Sequence, residues 1–354
     1  MLARSLKRIT ATDIAMFVIG GAIGLMVIVG SILEIFVRHT YTGQQWFDLF
    51  VSGIAMGSVY SLFALGYTMV YGILRLINFA HSEVFMSGPF TAYFLAIYLA
   101  ESGFLNANPV LSLVAIFALA MAVSTLVAVI VERVAYRPLR NAPRLVPLIT
   151  AIGASFFLQY YFRGLFGVDI KVYPTVTALT PYLDFGGYRI QYVQLLIIVA
   201  AALMMVSLNL FVQRSQIGKA MRAVSEDKET AALMGIDVDR IITITFAIGG
   251  ALAGAAGVLY VLMFPEVYYL MGFIPGIKAF TAAVLGGIGN IPGAMLGGLF
   301  LGIIEAVGPS LFLDGLGIPA PYQLKDAIAF TLLVFVLIFR PSGILGEHVG
   351  EKKA

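Results

Sequence analysis

Between Leu49 and Leu74 the chain carries no charged residue, and that run constrains the fold more than any other stretch. A helix crosses the hydrocarbon core of a bilayer with about 20 apolar residues. Further apolar runs follow the same pattern at Ile14–Leu33, Val84–Ala100, Pro109–Val131, Leu145–Phe162, Ile190–Val212, Ile241–Pro265, Ala279–Ile304 and Tyr322–Phe339. Only 12% of residues are charged, 60% are hydrophobic and the mean hydropathy is +0.96. Soluble domains carry about 25% charged residues, so a soluble core is excluded. The runs are continuous, whereas a transmembrane β-barrel alternates in segments of about 10 residues. The expected fold is an all-α polytopic membrane protein.

The first run, Ile14–Leu33, follows Arg4, Lys7 and Arg8 and ends at Glu34. A secretory signal has an apolar region of about 7–15 residues, so this longer run reads as a retained helix, with a signal peptide as the alternative. The run from Ala279 to Ile304 is split by Gly-Gly-Ile-Gly-Asn-Ile-Pro-Gly at 286–293, which predicts two short helices around a break. About ten crossings result, with a re-entrant segment as the alternative between Phe264 and Pro292. Lys and Arg gather in the N-terminal tail, at Arg75, in 132–144, in 213–240 and near Arg340. Cytoplasmic loops are enriched in these residues, which predicts both termini inside. The domain reading is an additional helix in 1–44, a membrane domain over 45–346 and a tail at 347–354.

Cysteine is absent and the three histidines, His39, His81 and His348, are scattered. No metal site and no catalytic constellation is expected, and no basic stripe suggests nucleic acid. Glycines four residues apart, as at Gly53/Gly57, Gly250/Gly254 and Gly298/Gly302, permit close helix packing in lipid. Ionisable groups at membrane depth cost about 2.5–3.5 kcal/mol on insertion scales and seek a partner or a cavity. On that ground Glu305 is expected in an interhelical hydrogen bond or ion pair. Lys278 is read equally as buried or as snorkelling to the interface, and Gln159 lies inside a span. Arg75 ends the first long run, and Asn78, His81 and Glu83 form a polar patch before the next. Asn78 and His81 share a face if that patch is helical, or cap a turn at the inner interface. The candidate path or gate comprises Gly57, Ser58, Tyr60, Ser61, Asn78, His81, Glu83, Asn290 and Glu305.

Residues 215–240 are the most charged stretch. Lys219, Met221, Arg222 and Val224, then Ala231 to Gly235, predict two short amphipathic helices. Glu226, Asp227, Lys228 and Glu229 make their junction polar. Such a loop is expected to be a docking surface; the other reading is a hairpin lying on the lipid headgroups.

Glu229-Thr230-Ala231 followed by Gly235 resembles the Glu-Ala-Ala-x-x-x-Gly core of the coupling loop in ABC-transporter permeases. The usual Ile-x-Leu-Pro ending is missing, with Ala247-Ile248-Gly249 nearby instead. Gly57-Ser58-Val59-Tyr60, Tyr71 through His81, Gly218 through Val224, Gly286 through Gly293 and Arg340 through Gly346 are similar to the LivH-type branch, the branched-chain amino acid permeases. The resemblance covers about residues 45–346. It implies an importer subunit with a second, paralogous permease subunit, two ATP-binding subunits and a periplasmic or surface-tethered solute-binding protein. It also makes Lys219, Arg222, Glu226, Glu229, Ala231 and Gly235 the ATPase-coupling residues. ATP and Mg belong to the partner ATPases, and no cofactor is expected on this chain, which has no Gly-x4-Gly-Lys-Ser/Thr loop. The implied substrate is a branched-chain or other neutral amino acid, with urea or a short amide as the alternative. A self-contained secondary transporter is the reading from another class, and it rests on Glu305 with Glu83 or Glu266.

Overall fold

The structure, a computed structural model, describes residues 11–140, 142–143, 145–340 and 342–346. Arg4, Lys7, Arg8, Arg144, Pro341, His348 and the tail 347–354 lie outside the described residues. The helices are α1 (Ala11–Leu33), α2 (Gly43–Leu74), α3 (His81–Glu101), the single turn α4 (Phe104–Ala107), α5 (Pro109–Val131), α6 (Leu145–Phe166) and α7 (Tyr192–Arg214). They continue with α8 (Gln216–Glu226), α9 (Lys228–Leu233), α10 (Val238–Met263), α11 (Phe273–Gly286), α12 (Ile291–Gly308) and α13 (Lys325–Phe339). Among the described residues nine helical segments are long and apolar enough to span a bilayer, and α11 is a shorter apolar helix. Every apolar run in the sequence is therefore a helix, and the break at 286–293 separates α11 from α12.

Four short strands form two antiparallel pairs among the described residues, β2 (Tyr182–Phe185) with β3 (Tyr188–Gln191) and β1 (Lys171–Val172) with β4 (Glu266–Val267). The second pair joins the α6–α7 connection to the end of α10. The opposite end of the bundle is held by other contacts. The Arg75 guanidinium donates to the Ser225 carbonyl at 3.5 Å. Ile344 and Leu345 donate backbone N–H groups to Leu285 and Gly286 at 2.8 and 3.0 Å. Arg137 and Arg140 pair with the buried Glu132, and Arg140 also pairs with Asp239 at the start of α10. The basic segments around 75 and 132–140 are thus tied to 214–240, and the segment after Arg340 is tied to the end of α11.

Glycine sets the closest approach in the core. A Cβ on Gly57 would lie 2.8 Å from the Leu299 Cα, and one on Gly53 would lie 2.9 Å from the Ile303 Cα. Only a missing side chain permits α2 and α12 to meet backbone to backbone. Gly254 does the same for α10 against α5, where a Cβ would stand 2.6 Å from the Ala120 carbonyl oxygen. Helices α2, α3, α10, α11 and α12 form the buried centre, while α1 and α13 lie at the periphery.

Two helices begin inside the bundle instead of at its surface. The His81 imidazole packs into the space left by Gly66, with Gly249 beside it. Gly66 lies eight residues before the end of α2 and Gly249 eleven after the start of α10, which is about 12 and 16 Å at 1.5 Å per residue. Residues 75–80 therefore climb back from the end of α2 before α3 starts. Helix α11 starts at the same level, since Gly272 and Gly276 abut Ser82. Its 14 residues span about 21 Å, short of the ~30 Å core. The segment between Phe264 and Pro292 is accordingly a non-helical arm followed by a short helix.

Candidate functional site

The first turn of α3 concentrates buried polar groups. Asn78 and His81 are 2% exposed and Glu83 is fully buried. The polar patch is therefore packed inside the bundle. Asn78 and His81 do not share a helical face, because Asn78 precedes the helix and its carbonyl accepts the His81 N–H at 3.1 Å. The Asn78 Oδ1 accepts from the Tyr136 hydroxyl at 3.1 Å. One Glu83 oxygen accepts from Ser155 at 3.0 Å and from Gln159 at 2.8 Å, both on α6. The Ser82 and Tyr67 hydroxyls are 3.1 Å apart. Three buried atoms keep no hydrogen-bond partner here: Asn78 Nδ2, His81 Nε2 and Glu83 Oε2.

A second buried cluster joins α11, α12 and α13. The Lys278 ammonium lies 2.6 Å from a Glu305 oxygen and 2.6 Å from an Asp326 oxygen. Lys278 and Glu305 are both buried, while Asp326 is partly exposed. The ammonium also stands 5.9 Å from the centre of the buried Tyr60 ring. Glu305 takes the interhelical ion pair expected of it, and Lys278 is its partner instead of snorkelling to the interface.

The other path candidates sit in seams. The Ser58 hydroxyl donates to the Ile54 carbonyl at 2.8 Å. The Ser61 hydroxyl reaches the carbonyls of Gly57 at 2.8 Å and of Met295 at 2.7 Å. Gly57 and Ser61 are thus placed where α2 meets α12, while Ser58 bonds within its own helix. Asn290 caps α12 by accepting from the Gly293 N–H at 2.9 Å and donates to the Leu345 carbonyl at 2.9 Å. It stands in the turn between α11 and α12, away from the start of α3.

Residues 215–240 form the two expected short helices. Ser215 caps α8 through the Gly218 N–H, and Asp227 caps α9 through the Glu229 and Thr230 N–H groups. Gly218, Met221, Val224 and Ala231 face inward, while Lys219, Arg222, Glu226 and Glu229 are exposed. Leu233 and Met234 are 87% and 78% exposed, apolar side chains held out of the bundle. Gly235 ends α9 at φ +83°, and the Gly235 and Ile236 N–H groups return to the Ala232 and Ala231 carbonyls. That turn is a left-handed helix stop, which glycine adopts without a Cβ penalty. A cleft of about 280 Å³ separates the loop from the end of α2, lined by Ile73, Arg75 and residues 224–229. The Lys228 ammonium there is pushed below the usual lysine range, first by burial and then by Arg140 and Arg75. Sequence reasoning missed Arg75 as a link to this loop. Its signal is a non-glycine residue in the left-handed region, at φ +55°.

The sequence profile of the family described as branched-chain amino acid transport system, permease component, matches residues 49–337. The chain belongs to that family. It is 48% identical over 307 residues to the high-affinity branched-chain amino acid transport system permease protein BraD of Pseudomonas aeruginosa, covering 85% of this chain and 96% of that one. It is 42% identical over 318 residues to the corresponding LivH protein of Escherichia coli K12, covering 89% of this chain and 99% of that one. A shorter match, 32% over 147 residues, joins 37% of this chain to 39% of a probable LivM permease protein of Methanocaldococcus jannaschii. No solved structure matches. Together with the apolar helices, these relatives make the chain a multi-pass permease protein of the bacterial inner membrane.

Proposed function

We propose that this chain is the transmembrane permease subunit of an ATP-driven importer for branched-chain or other neutral, hydrophobic amino acids. The observation that carries the reading is the near full-length match to permeases named for branched-chain amino acid transport. The chain has no phosphate-binding loop of its own, so ATP and Mg belong to two separate ATPase subunits. A paralogous second permease subunit and a solute-binding protein complete the assembly, with both termini of this chain on the cytoplasmic side.

The α8–α9 hairpin is the ATPase docking surface in this reading. Its capped helices, outward Leu233 and Met234, and exposed Arg222 and Glu229 support that role. Ala231 and Gly218 seat the hairpin on the bundle instead of meeting the partner. Nucleotide-driven closure of the ATPases presses on this hairpin and shifts the bundle between outward- and inward-facing states. ATP supplies the bias only through its different affinity for the two states.

The test is purification of the tagged protein from native membranes in mild detergent, followed by ATPase assays with the binding protein across a panel of small molecules. Co-purifying ATPase stimulated by leucine-like amino acids is the expected result. Stimulation by urea alone moves the protein to a urea or short-amide importer, and absence of any ATPase overturns the reading. Reversing charge at Arg222 and Glu229 is expected to uncouple hydrolysis from uptake in the same preparation.

A further inference from the structure

We infer that the buried start of α3 is where the transported amino acid is held by its charged ends, with its apolar side chain against Tyr71 and Phe280. The inference rests on the importer reading above. It starts from an imbalance among side chains that have nothing else to bond. Asn78 Nδ2 is a donor without an acceptor, and Glu83 Oε2 is a carboxylate oxygen without a donor. They lie five residues apart, on either side of the first residues of α3, and both residues are at least 98% buried. No Lys or Arg pairs with Glu83 among the described residues; its two partners are the neutral Ser155 and Gln159.

Leaving buried polar atoms unmet costs about 1–3 kcal/mol each, and more for a charged group. Two such atoms of opposite kind are complementary to a zwitterion. A carboxylate satisfies Asn78, and an ammonium satisfies Glu83. The helix end itself points the same way. Helix α3 begins at Ala80 with no side-chain cap, as α5, α11 and α13 also begin without one. The His81, Glu83 and Val84 N–H groups are already taken by the Asn78 and Ala80 carbonyls, so what the start of α3 offers a carboxylate is the positive end of the helix dipole. Interrupted helices with ends at membrane depth are a known way to build a substrate site in transporters.

The apolar part of the ligand has an adjoining place. A small groove lies between Tyr67, Tyr71, Ile77, Phe280, Ala283 and Ile288. Tyr67 ties the groove to the polar turn through Ser82, and Ile77 precedes Asn78 directly. Phe79, 37% exposed, faces Phe280 with ring centres 6.4 Å apart. Its walls carry no charged side chain, which suits a branched aliphatic group, and at about 10 Å³ the groove has to widen to admit one.

The native chain has no cysteine, so Phe79→Cys places a single reporter thiol beside the site. The assembled transporter is studied in inside-out vesicles, where small molecules reach the path without a binding protein. The probes are leucine, isoamylamine, which lacks the carboxylate, and 4-methylpentanoate, which lacks the ammonium. The expected result is that leucine slows thiol labelling at least threefold at a concentration where neither analogue does. Equal protection by either analogue overturns the zwitterion assignment, and so does unprotected labelling in a variant that still transports leucine. Glu83→Gln keeps both hydrogen-bond partners and removes the charge, and its ATP-driven leucine uptake is expected to fall at least tenfold in vesicles carrying equal amounts of assembled complex. Wild-type uptake by Glu83→Gln also overturns the site. Failure of the parent protein to show any ATP-driven amino acid uptake instead overturns the importer reading.

Discussion

The two buried charge clusters differ in how their charges are met. At the α11–α12–α13 junction Lys278 stands between Glu305 and Asp326, so each carboxylate has a cation 2.6 Å away. At the start of α3 Glu83 has only neutral donors, and Asn78 and His81 each keep an unpartnered nitrogen. The first cluster sets a cation against both carboxylates and fastens three helices, with Glu305 Oε2 left without a hydrogen-bond partner of its own. The second is open, and it sits where two helix starts converge. In a hydrocarbon environment that openness is expensive unless something else enters, and this contrast separates a clasp from a site.

The largest expected effect breaks the clasp. Lys278→Met leaves Glu305 and Asp326 without their cation and is expected to destabilise the protein by about 3–5 kcal/mol, as for other broken buried ion pairs. Thermal unfolding of the purified protein in mild detergent measures it. Lys278→Met combined with Glu305→Leu removes both buried charges and is expected to recover much of the loss. An unchanged midpoint for the single variant would mean that the triad fastens nothing.

At the open cluster Glu83→Ala strands the Ser155 and Gln159 donors and is expected to cost about 1–3 kcal/mol. Glu83→Gln retains an acceptor for both and is expected to stay within about 1 kcal/mol of the native protein in the same assay. A Gln variant as unstable as Lys278→Met would show that the Glu83 charge is already paired, and the contrast between the clusters would disappear.

The smallest effect concerns Lys228, whose charge is crowded by Arg75 and Arg140 at the cytoplasmic cleft. Because its folded-state pKa is lowered, the folded protein disfavours the charged form at neutral pH. Stability from this group therefore rises as pH climbs from the folded pKa towards the ordinary lysine range. Lys228→Gln is expected to flatten that alkaline rise slightly, read as the pH dependence of the unfolding midpoint above pH 8.

Much of the architecture was legible in the residues because lipid makes hydropathy nearly decisive. The run at Pro109–Val131 became α5 residue for residue, that at Leu49–Leu74 became α2 with six more residues at its start, and the pattern at 215–240 became α8 and α9. The depth of the 75–81 segment was not legible. A polar patch after an arginine reads equally as a helical face or as a turn at the interface, and only the contacts of His81 with Gly66 and Gly249 place it inside the bundle. Glu305 was expected in an interhelical pair, yet its partner Lys278 is 27 residues away on another helix, a separation no local pattern encodes. The charges of Arg137 and Arg140 signalled the side of the membrane, while their pairing with the buried Glu132 needed the folded chain.

Hydrogen exchange of the assembled transporter, compared with and without ATP, tests the contrast between the two clusters most directly. The account predicts that amides of residues 79–84 change their exchange on ATP binding, while those around Lys278 and Glu305 stay protected in both states. Unchanged exchange at 79–84 with altered exchange around Lys278 and Glu305 would reverse the roles assigned to the two clusters.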